Sequence, residues 1–261
     1  MSIKSAQLCY LHKGELHFTT AQSIDGVNHV KALPWLSIVE SVEGSYSISL
    51  GGGRTYRTGA HGFFVAPAHI LQNITHHVDA RSGRIHCRWI FLDLRLNGEH
   101  TPEELFDLPV VLTAAETLHE IFDRIFAAET LLGMQSAALA AVDELLRCAT
   151  PRATLHPRRL DASLRYIREN YHTPISVATL AALEHTSESN LYALFRRELG
   201  VSPISYINSY RLSLAAERLA STKESVAAVA LAVGIPDGVY FSRLFQRAYR
   251  VTPTQYRHAH R

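Results

Sequence analysis

Cysteine is scarce in this chain, and the three present exclude more than they suggest. Cys9, Cys87 and Cys148 are odd in number, scattered, and nowhere spaced as CxxC. That argues against a disulfide framework or a cysteine metal site and favours a reducing, cytoplasmic setting. No run of about 18 apolar residues occurs, so no membrane span is expected. The stretch Met1 to Thr20 lacks the apolar core and small-residue cleavage site of a signal peptide. Nucleophile elbows, phosphate loops and paired-carboxylate motifs are missing as well, so the residues offer no enzyme signature.

Charge is in small net excess but unevenly placed. Residues 158–261 carry 14 Lys and Arg against 8 Asp and Glu, whereas residues 1–157 carry 12 against 16. A basic C-terminal module beside an acidic N-terminal one suits a domain that meets phosphate and a domain that does not. A length of 261 residues allows each its own core.

The C-terminal module says nearly the same thing twice. Leu191, Phe195, Gly200, Val201, Ser202, Pro203 and Tyr206 recur 50 positions on as Phe241, Phe245, Arg250, Val251, Thr252, Pro253 and Tyr256. At a shift of 49, Val177 to Ala181 meets Val226 to Ala230. Two copies of one supersecondary unit follow. In each, a short Ala-rich helix (176–184, then 225–233) is followed by a break and a second helix with Ser187 or Asp237 as N-cap. Leu191, Leu194 and Phe195 form the buried stripe of that second helix, which frees its other face for a DNA major groove. A long helix from Ile204 to about Ser221 joins the copies, and another opens the domain near Asp161.

The N-terminal half is of another kind. Ser45 to Leu50 alternates as a half-buried strand does, Gly51-Gly52-Gly53 turns the chain, and Arg54 to Thr58 returns as the partner of a hairpin. Further strand-like runs are Gln7–Leu11, Glu15–Thr20, Leu36–Glu40, Phe63–Ala66 and Arg84–Leu94, a pattern that suggests a barrel or jelly roll. Residues 113–149 turn helical, with Leu118, Ile121, Phe122, Ile125 and Phe126 on one face and Leu139, Val142, Leu145 and Leu146 on another, broken at Leu131–Met134. These helices either pack on the barrel or supply a dimer seam. Two prolines, Pro151 and Pro157, mark a linker at 151–158. The expected fold is therefore two-domain α+β. A β-barrel with following helices occupies 1–150, and an all-α domain with two helix-turn-helix units joined by a long helix occupies 159–261.

The C-terminal spacing resembles the DNA-binding domain of the AraC/XylS family of bacterial transcription regulators. The residues that carry the resemblance are Leu180-Ala181, Ser187, Leu191, Phe195, Gly200, Pro203, Arg211-Leu212, Ala215, Gly234, Asp237, Tyr240-Phe241, Phe245, Pro253 and Tyr256-Arg257. Two positions depart from the pattern: Ile235 stands where the family usually has Phe, and Arg250 where it usually has Gly. In the N-terminal half, Gly44, Gly59, Pro67 and the strand with Trp89-Ile90-Phe91 resemble the cupin-like sensor of such regulators.

The helix faces then name candidate DNA contacts. Base readers are Ser189, Asn190, Tyr192 and Ala193 in the first unit, and Gly238, Val239, Tyr240 and Arg243 in the second; Asn190 suits adenine and Arg243 guanine. Arg196, Arg197 and Arg247 suit phosphate, although Arg196 and Arg197 also satisfy the dipole at a helix end, and the two tyrosines could instead pack. The resemblance implies a small effector, sugar-like and neutral, lined by Glu43, Asn73, His86, Arg88 and Trp89. It also implies double-stranded DNA, RNA polymerase and a second copy of the chain as partners, with activation as the output. The alternatives are a constitutive DNA-binding regulator with a vestigial barrel and a metal-dependent cupin enzyme. The latter needs an HxH pair with a carboxylate and a later His. His61, His69, His76, His77 and His86 supply no such pair, and Gln72 stands nearest the later position. No metal, cofactor or enzymatic activity is expected. DNA-repair methyl-transfer proteins also carry this helix-turn-helix pair, but they need clustered reactive cysteines, and Cys9 stands alone.

Overall fold

Two compact units divide the chain in the computed structural model, which describes residues 3–19, 25–26, 28–98, 100–153 and 160–259. The first comprises Met1–Asn28, Pro34–Ala68 and Asn73–His156, and the second His29–Leu33, His69–Gln72 and Pro157–Arg261. The division anticipated at 150–159 counted both short pieces with the first domain. From Thr154 onward, the expected linker lies outside the described residues.

The N-terminal part begins with eight strands: β1 (Ala6–Thr19), β2 (Asn28–Ala32), β3 (Leu36–Glu43), β4 (Ser45–Leu50), β5 (Thr55–Arg57), β6 (Phe63–Ala66), β7 (Leu71–His77) and β8 (Arg84–Leu96). Then come α1 (Pro102–Leu105), β9 (Phe106–Asp107), β10 (Val111–Leu112), α2 (Glu116–Ala127), α3 (Leu131–Arg147) and β11 (Thr150–Pro151). One sheet has the order β1-β8-β3-β6-β10 and a second the order β2-β7-β4-β5, while β11 pairs with β9. The expected barrel is therefore corrected. The sheets stay separate, ending on β1 and β10 and on β2 and β5 among the described residues, and no strand closes either one on itself.

Residue alternation explains why the five-stranded sheet is covered on both faces. Leu36, Ile38, Phe63, Val65, Ile90, Leu92 and Leu94 pack with Leu118, Ile121, Phe122, Ile125, Ala138, Val142 and Leu145 of α2 and α3. Val39, Phe64 and Ala66, each one residue away, and Cys87 of β8 join Tyr46, Ile48, Ile74 and Ile85 in a second core. A strand buried on both sides reads as an unbroken apolar run, and β6, Phe63-Phe64-Val65-Ala66, is that kind of strand. Two local expectations change. Gln7–Leu11 and Glu15–Thr19 are one strand, because β1 pairs with β8 straight through Gly14, which stands opposite Trp89, and Thr20 lies outside the described residues. The helix break lies at Ala128–Thr130 and not at Leu131–Met134, since the Thr130 side chain accepts from Gly133 N–H and caps α3.

The second unit holds α4 (Asp161–Asn170), α5 (Val177–Leu183), α6 (Glu188–Leu199), α7 (Pro203–Ser221), α8 (Val226–Ala232), α9 (Gly238–Tyr249) and α10 (Pro253–Ala259). The expected caps form: Ser187 accepts from Asn190 N–H, and Asp237 accepts from Val239 and Tyr240 N–H. Each helix-turn-helix copy has its own core, and α7 serves both. Its Tyr206, Ile207 and Tyr210 pack with Leu191, Leu194 and Phe195, while Leu212, Ala215, Ala216 and Leu219 pack with Phe241 and Phe245. Ile235 is buried in the second core, so it fills the apolar place expected of it.

The copies differ at the end of the second helix. Gly200 follows α6 with φ 77°, and Arg250 follows α9 with φ 62°, both left-handed. Glycine takes that conformation without steric cost, whereas a residue with a Cβ is strained there by about 1 kcal/mol. Arg250→Gly should therefore stabilise the domain by roughly 1 kcal/mol, a rise of about 4 °C in Tm by calorimetry. An unchanged or lower Tm would mean that the Arg250 side chain makes up for its backbone.

Candidate nucleic-acid interface

Helices α6 and α9 bury one stripe and present the other. On α6, Leu191, Leu194, Phe195 and Leu199 are buried while Ser189, Asn190, Ala193, Arg196 and Arg197 are exposed. On α9, Phe241 and Phe245 are buried while Gly238, Val239, Tyr240, Arg243 and Arg247 are exposed. The candidate readers thus share the outward face of each helix, with Tyr192 half-buried at its border. The N-terminal turns are already hydrogen-bonded to their caps. Asn190 also donates from Nδ2 to Thr186 Oγ1 at 2.6 Å, so reading a base would require it to exchange that partner. Arg197 leans on Glu198 at 2.9 Å, and Asn208 Nδ2 donates to the Tyr240 hydroxyl at 3.4 Å.

What fixes the two faces is a set of contacts around the α4–α5 turn. Arg211 of α7 donates from Nε to the Tyr171 carbonyl at 2.8 Å and from Nη2 to the Thr173 carbonyl at 2.7 Å. Burial lowers its pKa, though an arginine stays charged there. Gly234, in the turn between α8 and α9, comes against the same Tyr171 carbonyl. Further along α7, Arg218 grips Glu224 through both carboxylate oxygens. The place of Arg211 in the sequence pattern is thereby explained: it ties the connecting helix to the turn between α4 and α5.

The first unit distributes the expected effector residues unevenly. Trp89 lies on the face toward the second sheet, packed against the core of Val39, Tyr46 and Phe64. Its indole covers Gly14, where a Cβ would stand 2.5 Å from Cζ2. Phe91, Trp35 and Tyr10 continue the row: Trp89 and Phe91 stack at 6.1 Å, Trp35 and Phe91 at 6.1 Å, and Tyr10 and Trp35 at 4.6 Å. The buried Trp89 Nε1 has no hydrogen-bond acceptor among the described residues. Arg88, one residue away, points to the opposite face, where it binds Glu40 at 2.5 Å and Asp123 of α2 at 2.7 Å. Burial opposes its charge, but those two carboxylates prevail and raise its pKa. His119 of α2 binds the other oxygen of Glu40. Arg88 is thus a strut between sheet and helix. His86 shares its face, Glu43 stands in register with His86, and Asn73 is exposed on β7. The five residues are not brought together.

Two groups of residues escaped the sequence. Tyr10, Gly14, Trp35 and Phe91 build the aromatic row with Trp89, and only strand pairing reveals it. Glu15 and His17 of β1 meet His86 of β8, with their ligand atoms all within 4.8 Å of one another. Glu-x-His on a strand puts both side chains on one face, a signal that a search limited to HxH passes over.

Comparison with known proteins decides the class of the second unit. Residues 180–259 match the helix-turn-helix domain family. The arabinose operon regulatory protein of Salmonella typhimurium is 32% identical over 146 residues, which is 53% of this chain and 52% of that one. The C-terminal domain is of the AraC type. The probable transcriptional regulator LumQ of Photobacterium leiognathi is 34% identical over 91 residues, 35% of this chain and 37% of LumQ. The chain spans about half or less of the length of these curated relatives. In fold it is similar to ToxT of Vibrio cholerae, with a TM-score of 0.69 at 10% identity, covering 95% of this chain and 98% of ToxT. A crystal structure of ToxT bound to an unsaturated fatty acid gives a TM-score of 0.65 at 13% identity, covering 98% and 96%. That fold joins a β-rich N-terminal domain to a helical C-terminal one, here the AraC-type domain. No described helix is long and apolar enough to cross a membrane.

Proposed function

We propose that this chain is a sequence-specific DNA-binding transcription regulator, an activator controlled by a small effector held in its first unit. The observation that carries the reading is the pair of exposed helix faces, α6 and α9, set by one connecting helix that belongs to both cores. A rigid pair of this kind suits successive major grooves on one side of a duplex, about 34 Å apart. Hydrogen-bonded readout falls mostly to α6 through Asn190 and Ser189. The start of α9 offers Gly238 and Val239, which have no side-chain donor, so Arg243 carries the direct reading there. Arg196, Arg197 and Arg247 hold phosphate and fix register without specifying sequence. RNA polymerase and a second copy of the chain are the remaining partners.

For the effector, the aromatic row and the unpaired Trp89 N–H favour a ligand with a flat apolar face and a hydrogen-bond acceptor, as a neutral sugar has. The likeness to arabinose operon regulators leans the same way, and the fatty acid held by ToxT is the chemistry to test against it. Trp35 and Trp89 are the only tryptophans, so a fluorescence titration with sugars and an unsaturated fatty acid reads the site directly. A bound effector shifts DNA binding only by its differential affinity for the two states.

The deciding experiment is selection of the full-length protein on a randomised DNA pool, followed by salt titration of the winners. The expected result is one enriched site with two determinants about one helical turn apart, weakened steeply by salt. Failure to enrich any site, with or without candidate effectors and also for residues 158–261 alone, would overturn the reading. Equal affinity with and without every effector would leave a constitutive regulator.

A further inference from the structure

We propose that Glu15, His17 and His86 form a binding site for a divalent transition metal of the zinc class. The argument begins with strand register. His17 on β1 stands directly opposite His86 on β8, and Glu15 lies two residues before His17, on the same face. His86 Nε2 is 3.5 Å from Glu15 Oε2, and His17 Nε2 is 3.8 Å from the same oxygen. Three ligands around a tetrahedral zinc at about 2.0–2.1 Å stand roughly 3.3 Å apart, so the two edges to Glu15 need shifts of only a few tenths of an ångström, while the two histidines, whose ligand atoms lie within 4.8 Å, must also reorient. The chemistry also fits. Two imidazoles and one carboxylate suit zinc, cobalt or nickel, whereas calcium and magnesium call for all-oxygen shells.

The state of the two histidines supports the same conclusion. Their rings stack at 3.9 Å with 19° between planes. The buried Nε2 of His86 has no hydrogen-bond partner among the described residues and lies 3.5 Å from Glu15 Oε2. To ligate together, the rings must open out of the stack, and exposed His17 has the room to turn. Glu43, in register with His86 on β3, places a second carboxylate along the same row. Three protein ligands leave a further position for water. The ion would pin the late part of β1 to β8.

The test uses the full-length protein with Co(II) as the probe and Zn(II) as competitor. Visible d–d bands from one equivalent of Co(II) per chain, displaced by Zn(II), are expected. His17→Ala, at an exposed position, should weaken binding about 100-fold, and Glu15→Gln should weaken it clearly. His258→Ala, exposed on α10, should leave it unchanged. Zn(II) in large excess over its Kd should raise Tm by about 5 °C in the parent protein and not in His17→Ala. Binding equally tight in His17→Ala and Glu15→Gln would place the ion on other histidines and overturn the proposal, as would no binding at millimolar metal.

Discussion

Gly234→Ala is expected to cost the AraC-type domain about 3 kcal/mol and more than about 10 °C in Tm. Two separate effects add. Gly234 sits at φ 78°, where a Cβ costs about 1–2 kcal/mol. That Cβ would also stand 2.6 Å from the Tyr171 carbonyl oxygen and 3.0 Å from the carbonyl carbon of His172. Both are backbone atoms, and the Tyr171 oxygen is held by Arg211 as well, so neither can swing aside as a flexible side chain would. Overpacking of this kind costs about 1–3 kcal/mol more. Thermal unfolding of Gly234→Ala beside Gly238→Ala makes the comparison clean. Gly238 opens α9 with nothing within 4 Å of its Cβ position, and its substitution should leave Tm within about 1 °C. Equal Tm values for the two variants would refute this account of the turn.

The same contrast shows what could be read from the sequence and what could not. Gly234 and Gly238 look alike in a string of letters, and only the placement of Tyr171 separates a structural glycine from an exposed one. The helices of the second unit were legible because their signals are local: a repeat at 50 residues, caps at Ser187 and Asp237, and apolar residues three and four apart. The first unit was legible only in its strands. Whether those strands close depends on pairing between residues far apart, and no local pattern shows that β1 and β10 both remain edges. The effector set failed to converge for a similar reason. Arg88 and Trp89 are neighbours in sequence, but on a strand neighbours face opposite ways, one to α2 and the other to the aromatic row. Glu15 and His17 carried their signal in a two-residue spacing, but it gains meaning only once β1 pairs with β8 and brings in His86.

The other large effect lies in DNA affinity. Against the selected site, Arg243→Ala should weaken binding by about 1–3 kcal/mol, roughly 5- to 150-fold. Asn190→Ala should fall near the lower end of the same range, because Asn190 gives up its bond to Thr186 when it turns to a base. Both side chains are exposed, so Tm should stay within about 1 °C. The substitutions lie on different helices with separate cores, and their effects should add to about 2–6 kcal/mol in the double variant. Removing Arg196, Arg197 or Arg247 should act differently: a loss nearly independent of sequence, with the salt slope reduced by about 1 for each contact. Titrations at several salt concentrations on the selected and a scrambled duplex measure both quantities. A double variant no weaker than the worse single would mean that only one of α6 and α9 meets the DNA, and the two-groove geometry would have to be abandoned.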